Sequence, residues 1–115
     1  MPCAMADDSA PDSTLARLEA VIAQRRSADP KLSYVAKLHA RGLPLIARKL
    51  GEEATEAVVA ALSGDDEELV GEAADVLFHL LVLLGARDIA LADVLAELDR
   101  REGTSGIDEK AARRS

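Results

Sequence analysis

Two pairs of acidic residues have the spacing of neighbours on one face of an α-helix. Glu53 and Glu56 form the first pair, and Glu72 and Asp75 form the second. Side chains at positions i and i+3 lie next to each other on a helix surface. A turn centred near Gly64 lies about eight residues from both Glu56 and Glu72, so two antiparallel helices would bring the pairs to one height. The spacing therefore predicts four converging carboxylates.

The chemistry that such a group of acids favours is the binding of a hard divalent cation. The second pair opens an almost wholly apolar stretch, EAADVLFHLLVLL, which runs from Glu72 to Leu84. Such a stretch predicts burial, and carboxylates in a buried interface need cations or hydrogen bonds to compensate them. Mg²⁺ and Mn²⁺ prefer oxygen ligands, and Mg²⁺ commonly shares phosphate oxygens with a substrate. The chain has no set of Cys and His ligands that would favour zinc instead.

A solvated helix surface is the simpler explanation of either pair taken alone, because acidic residues at this spacing are common on exposed helices. The matched heights of the two pairs, and the apolar stretch around the second, favour a metal site formed by Glu53, Glu56, Glu72 and Asp75. The spacing by itself leaves both interpretations open.

The elements that must position these acids are all predicted to be helices, at residues 13–26, 34–41, 44–62, 65–84 and 91–101. Ser13, Ser33 and Asp65 are suitable N-cap residues, and Pro44 suits the first turn of a helix. No segment has the alternating pattern of a strand. We therefore predict an all-α fold, a helical bundle built on a long antiparallel hairpin of the third and fourth helices.

Helical periodicity also predicts which faces of the hairpin are buried. In the third helix, one arc collects the apolar residues Ile46, Leu50, Ala54, Ala57 and Ala61. In the fourth helix, Ala73, Leu77, Leu80 and Leu84 share a face. Because residues 76–84 are apolar on almost every side, we expect that part of the chain to be buried from more than one direction.

Length and charge limit the class of protein. The 115 residues are enough for one domain, predicted at 13–102, between a disordered tail at 1–12 and a flexible tail at 103–115. A net charge of −7 disfavours general nucleic-acid binding. We expect no membrane span, because His79 interrupts the longest apolar run and Gly85 and Arg87 follow it. The N-terminus lacks the pattern of a secretory signal, and the single Cys3 requires no oxidising compartment, so we expect a cytoplasmic protein.

The longer strings around the acids resemble phosphoribosyl-ATP pyrophosphohydrolase, an all-α enzyme of the MazG-like superfamily. They are KLGEEATE, from Lys49 to Glu56, and ADVLFH, from Ala74 to His79, with Ser33-Tyr34-Val35 upstream. The resemblance implies Mg²⁺-dependent hydrolysis of phosphoribosyl-ATP between its α- and β-phosphates, within histidine biosynthesis. It also implies a homodimer whose helices complete the bundle. By motif match, the four paired acids bind metal, and Glu52 adds a ligand or orients the attacking water.

Three further side chains could assist this chemistry. Lys49, one turn before the first acidic pair, could contact a substrate phosphate, or it could form a salt bridge with Glu53. Lys37 could serve likewise, or it could be an ordinary solvated lysine on the protein surface. His79 could bond a ligand carboxylate from a second shell, or it could be a buried core or interface histidine.

Two rival functions remain open from the sequence. A sister pyrophosphohydrolase acting on another (d)NTP would share the metal site, because base and ribose contacts would make the difference. A catalytically silent helical dimerisation module would instead use the apolar residues 76–84 as an interface between copies.

Overall fold

A computed structural model describes residues 11–102 as five α-helices, with no strand among them. The helices are α1 (Pro11–Arg25), α2 (Tyr34–Arg41), α3 (Leu43–Ser63), α4 (Asp66–Ala86) and α5 (Leu91–Arg101). The all-α class and the order of the elements are therefore confirmed. The tails predicted at 1–12 and 103–115 lie largely outside the described residues, apart from the start of α1.

The helix ends follow from local chemistry at most of the predicted positions. The hydroxyl of Ser33 accepts a hydrogen bond from the backbone N–H of Ala36 at 3.2 Å and caps α2. The carboxylate of Asp65 accepts one from the N–H of Glu68 at 3.1 Å and caps α4. The helix α1 differs from the prediction, because it begins at Pro11 rather than after Ser13.

The turn between α3 and α4 is tight because Gly64 adopts a left-handed conformation, with φ of 84°. Glycine reaches this region without the steric penalty that a Cβ atom brings. The two helices that it joins, each of 21 residues, form the most extensive interhelical contact of the described chain. The predicted antiparallel hairpin is thus present.

The hydrophobic core lies at the end of the hairpin that is remote from this turn. Its buried members come from all five helices and are Ile22, Val35, Leu38, Ile46, Leu81, Val82 and Leu91. Burying an aliphatic side chain of this size contributes about 1.5–3 kcal/mol relative to exposing it. The start of α5 is fixed onto α1 by a hydrogen bond of 2.7 Å from the N–H of Leu91 to the carboxylate of Glu19. The core therefore holds one end of the hairpin firmly.

The predicted core face of α3 is only partly correct. Ile46 is buried, but Ala54 and Ala61 are exposed, and Ala60 is buried instead. Likewise Leu77 in α4 is exposed in the single chain. The reason is that α1, α2 and α5 supply core residues only at the remote end, so no second layer within residues 11–102 covers the half of the hairpin near the turn.

The hairpin consequently presents an exposed apolar face, which we call the hairpin face. Its large side chains are Val58, Val59, Leu62, Val70 and Leu77. In α4, Val70 and Leu77 are seven residues apart and so lie on the same side of the helix.

The helix α4 is long and apolar enough to cross a membrane, contrary to the sequence expectation that His79 and Gly85 interrupt the run. Only 17% of its most apolar stretch is buried within the chain. However, Glu72 and Asp75 lie within this helix, and it packs against α3 and α1. Core helices of bundles meet the same requirements of length and composition, so this property of α4 assigns no membrane.

Candidate metal centre

Three of the four predicted metal ligands meet between α3 and α4. Glu53, Glu56 and Glu72 each bring one carboxylate oxygen to within 4.8 Å of the others. The first two lie one turn apart on α3, and the third faces them from α4 because the Gly64 turn folds the helices to matching heights. We call these three residues the acid cluster.

Asp75, the fourth predicted ligand, is not part of this three-residue cluster. Its side chain is exposed, one turn further along α4 than Glu72. Its charge still acts on the cluster, because it is among the charges that raise the pKa of Glu72. Asp75 therefore lies beside the acid cluster, not inside it.

Two oxygens of the acid cluster are buried without a hydrogen-bond partner. They are Oε2 of Glu53 and Oε1 of Glu72. A buried polar atom left unsatisfied costs about 1–3 kcal/mol, and more when the group is charged. A divalent cation that accepts oxygen ligands would compensate both atoms together. The acid cluster thus has the donor chemistry that Mg²⁺ or Mn²⁺ requires.

The electrostatics of Glu72 reflect the same crowding. Burial raises the pKa of this carboxyl above its usual value, and the charges of Glu56 and Glu53 raise it further. Asp75 and Glu68 add smaller contributions in the same direction. Like charges this close disfavour full ionisation unless a cation offsets them. Without a cation, the surroundings of Glu72 therefore disfavour the ionised form of its carboxyl group.

His79 is a buried residue whose two ring nitrogens both have partners. Nδ1 lies 2.8 Å from the backbone oxygen of Asp75, and Nε2 lies 2.9 Å from the hydroxyl of Tyr34. Because a carbonyl oxygen can only accept, Nδ1 carries the proton and Nε2 accepts from the tyrosine. The histidine therefore contacts the backbone of Asp75 and not its carboxylate. It ties α2 to the turn of α4 that carries this acid.

The predicted substrate-binding lysines share one groove between α2 and α3. This groove, of about 260 Å³, is lined by four cationic side chains together with Tyr34, Leu38, Leu45 and Glu52. The four cations are Lys37, Arg41, Arg48 and Lys49, and we call the site the basic groove. Sequence reasoning did not identify Arg41, Arg48 or Tyr34. The spacing of Lys37 and Arg41, which is that of one helix face, was the available signal.

Glu52, the predicted catalytic residue, lines this groove and directly precedes Glu53 in the sequence. Its carboxylate is half exposed and lies 3.6 Å from both the guanidinium of Arg48 and the ammonium of Lys49. Lys49 thus pairs with Glu52 and not with Glu53, the partner that the sequence suggested. The pair contributes little stability, because exposed ion pairs are screened by water.

Comparison with known proteins places this arrangement in a family. The sequence model of phosphoribosyl-ATP pyrophosphohydrolase matches residues 15–102. The chain belongs to the phosphoribosyl-ATP pyrophosphohydrolase family. A protein of Erythrobacter litoralis named phosphoribosyl-ATP pyrophosphatase is 70% identical over 101 residues, which cover 88% of this chain and 97% of the relative. A protein of the same name from Novosphingobium aromaticivorans is 70% identical over 99 residues, covering 86% and 92%.

The phosphoribosyl-ATP pyrophosphohydrolase match includes every element that forms the site. It begins within α1, ends just after α5, and contains the acid cluster, the Gly64 turn and the basic groove. A third relative, from Rhizorhabdus wittichii and also named phosphoribosyl-ATP pyrophosphatase, is 65% identical over 100 residues. The resemblance drawn from the KLGEEATE and ADVLFH strings is therefore confirmed.

Proposed function

We propose that this enzyme uses Mg²⁺ bound by Glu53, Glu56 and Glu72, with Asp75 beside them, to hydrolyse phosphoribosyl-ATP. The products are phosphoribosyl-AMP and pyrophosphate, and the reaction belongs to histidine biosynthesis. The observation that carries the proposal is the acid cluster, whose oxygens meet within 4.8 Å and include two buried atoms without a partner. Mn²⁺ can substitute, since it accepts the same oxygen ligands.

A cation held by these residues would neutralise charge on the phosphate oxygens. In the reaction, a water oxygen bonds to the α-phosphorus while the bond from that phosphorus to the bridging oxygen breaks. Pyrophosphate leaves with the bridging oxygen, and the proton of the water is released to solvent. The carboxylate of Glu52 is half exposed, one residue before Glu53 on α3, and in this proposal it accepts a hydrogen bond from the water and orients it. Lys49 and Lys37, from the basic groove, bind substrate phosphate.

His79 has a supporting role in this scheme. Its ring is held between the Tyr34 hydroxyl and the Asp75 backbone oxygen, so it fixes the turn of α4 on which Asp75 lies. Because both of its ring nitrogens have partners within the protein, it is a positioning residue and does not itself bind the metal.

The family assignment favours phosphoribosyl-ATP over another (d)NTP, and an enzyme over a catalytically silent dimerisation module. We place the enzyme in the cytoplasm, because a substrate with several phosphate groups carries too much charge to cross a membrane unaided.

We also propose that two copies pair through the hairpin face. Among the described helices, none covers its valines and leucines with the second layer that a bundle normally provides.

The metal assignment is tested by pyrophosphate release from phosphoribosyl-ATP, with and without Mg²⁺, in Glu53→Gln and Glu56→Gln variants. We expect Mg²⁺-dependent release in the wild type and a loss of at least about tenfold in each variant, with helicity retained. Glu67→Gln is the matched control, because Glu67 is exposed on α4 outside the acid cluster. Full activity of the folded Glu53 and Glu56 variants would refute the assignment.

A further inference from the structure

The basic groove has a charge opposite to that of the chain as a whole. The protein carries a net charge of −7, yet this groove of about 260 Å³ is lined by four cationic side chains and one acid. Glu52 pairs with Arg48 and Lys49, each at 3.6 Å. A concave site with one predominant sign of charge concentrates ligands of the opposite sign. The groove is therefore suited to an anion.

The two cations that α2 contributes are not needed to balance the protein's own acids. Within the described residues, neither Lys37 nor Arg41 has a carboxylate within salt-bridge distance. They are four residues apart on one short helix, where like charges repel each other. Both side chains line the groove despite this repulsion. Their placement is consistent with the binding of an anionic ligand there.

The groove lies along the part of α3 that precedes the acid cluster. Its lining residues from α3 run from Leu45 to Glu52, and Glu52 is the residue directly before Glu53. Leu45 also lines the groove and lies eight residues before Glu53, about 12 Å along α3 at 1.5 Å per residue. Arg41, at the end of α2, belongs to this far part.

The substrate of the proposed reaction has phosphate groups at two separate places. Its triphosphate must lie at the acid cluster, where the scissile bond meets the metal. The phosphoribosyl group carries a second phosphate, on the other side of the adenine base from the triphosphate. An enzyme that distinguishes phosphoribosyl-ATP from ATP needs a cationic site for this second phosphate, remote from the metal.

We propose that the basic groove, through Arg41 and Arg48 together with Lys37, binds the phosphate of the phosphoribosyl group and thereby selects this substrate over ATP. Arginine suits this task because its planar guanidinium presents paired donors to phosphate oxygens. The inference rests on the proposed function, since it assumes that the triphosphate occupies the acid cluster. It adds two arginines, and a specificity role, to the phosphate contacts already assigned to the lysines.

The test compares two substrates, phosphoribosyl-ATP and the ribosyl-ATP analogue that lacks only the second phosphate. In the wild type we expect kcat/KM to be higher for phosphoribosyl-ATP. In Arg41→Gln, we expect KM for phosphoribosyl-ATP to rise roughly tenfold or more, because a charge-assisted hydrogen bond to the second phosphate is lost, while kcat changes little. The same variant should leave kcat/KM for ribosyl-ATP within about twofold of the wild type, because that substrate lacks the phosphate that Arg41 binds.

Arg87→Gln provides the control, since Arg87 is an exposed arginine beyond the end of α4 that does not line the groove. Circular dichroism verifies that each variant is folded. Equal losses on both substrates would overturn the inference, because Arg41 would then serve the triphosphate or the fold. Equal turnover of both substrates by the wild type would also overturn it. Failure of the wild type to release pyrophosphate from either substrate would instead contradict the proposed function itself.

Discussion

Glu72 lies where burial and four neighbouring carboxylates act on one side chain together. The raised pKa of this residue means that its ionised form is disfavoured in the cation-free protein. Such repulsion is tolerated where function requires it, because a bound cation converts the same carboxylates from a destabilising to a stabilising group. Stability and metal binding are therefore expected to respond in opposite directions to the loss of this charge.

Replacing Glu72 with Gln should raise the melting temperature of the metal-free protein and remove the stabilisation that Mg²⁺ provides. The cause is the loss of repulsion from Glu56 and Glu53, together with the loss of a ligand. Thermal melts with EDTA and with excess Mg²⁺ measure both effects. A variant that is destabilised without metal, yet still gains from Mg²⁺ as the wild type does, would disprove this description of the cluster.

Glu97 gives a prediction of pH dependence away from the site. Hydrogen bonds from Arg100 and Arg101 lower the pKa of its carboxyl from 4.5 to about 2. Because the folded pKa is depressed, the stabilisation is present above pH 4.5 and is lost as the pH falls towards 2. Wild type should melt slightly higher than Glu97→Gln at neutral pH, and the difference should vanish in acid. High salt should reduce the difference in melting temperature between the two proteins. A difference that grows on acidification would contradict the assignment.

At the scale of the helices, the Gly64 turn decides whether the acid cluster can form. The heights of Glu56 and Glu72 match only because a two-residue connection reverses the chain directly after α3. A longer or strained turn would shift one helix along the other. The turn therefore couples a backbone conformation to the geometry of the ligands.

Gly64→Ala should destabilise the protein by about 1 kcal/mol, since φ of 84° is unfavourable for a residue with a Cβ atom. Gly51→Ala is the comparison, because Gly51 lies within α3 and a new methyl group there would meet open space. This substitution should raise the free energy of unfolding by about 0.5–1 kcal/mol. Urea unfolding of both variants provides the measurement. Equal effects of the two substitutions would show that the left-handed turn is not a constraint.

The sequence was sufficient for the parts of the fold that depend on local chemistry. Capping by Ser33 and Asp65 and the Gly64 turn set the helix ends, and turn symmetry then predicted the meeting of Glu56 with Glu72. It was insufficient where tertiary packing decides. Helical periodicity alone put Ala54 in the core, although none of the five described helices buries it.

The basic groove likewise combines a feature that the sequence shows with one that tertiary packing determines. The spacing of Lys37 and Arg41 was visible in the sequence, but their position opposite Arg48 depends on how α2 packs against α3. The bond from Tyr34 to His79 joins residues 45 positions apart, and neither residue type indicates the other as its partner. Contacts of this kind require the folded chain.

At the scale of the whole molecule, the described helices leave the half of the hairpin near the turn without a covering layer. Leu62 is 83% exposed and Val70 is 70% exposed, on a helix pair long enough to form half of a four-helix bundle. A second copy would cover this surface with the same residues, as an isologous interface requires. Dimerisation would thus complete the bundle around the metal-binding helices.

The dimer is expected to dissociate when a charge is placed on the hairpin face. Leu77→Glu should convert the dimer to monomer in sedimentation velocity, because the carboxylate would be buried against an apolar surface. Leu32→Glu, at an exposed leucine outside the hairpin, should leave the dimer intact. A wild-type monomer, or a Leu77→Glu protein that remains dimeric, would refute this interface.

The most direct test of the acid cluster is equilibrium binding of Mn²⁺ to the purified chain, followed by electron paramagnetic resonance of the free ion. The wild type should bind Mn²⁺, and Mg²⁺ should compete for the same site. Glu56→Gln and Glu72→Gln should each weaken binding by at least about tenfold, while Glu67→Gln leaves it unchanged. Equal affinity for Mn²⁺ in all four folded proteins would contradict the metal centre.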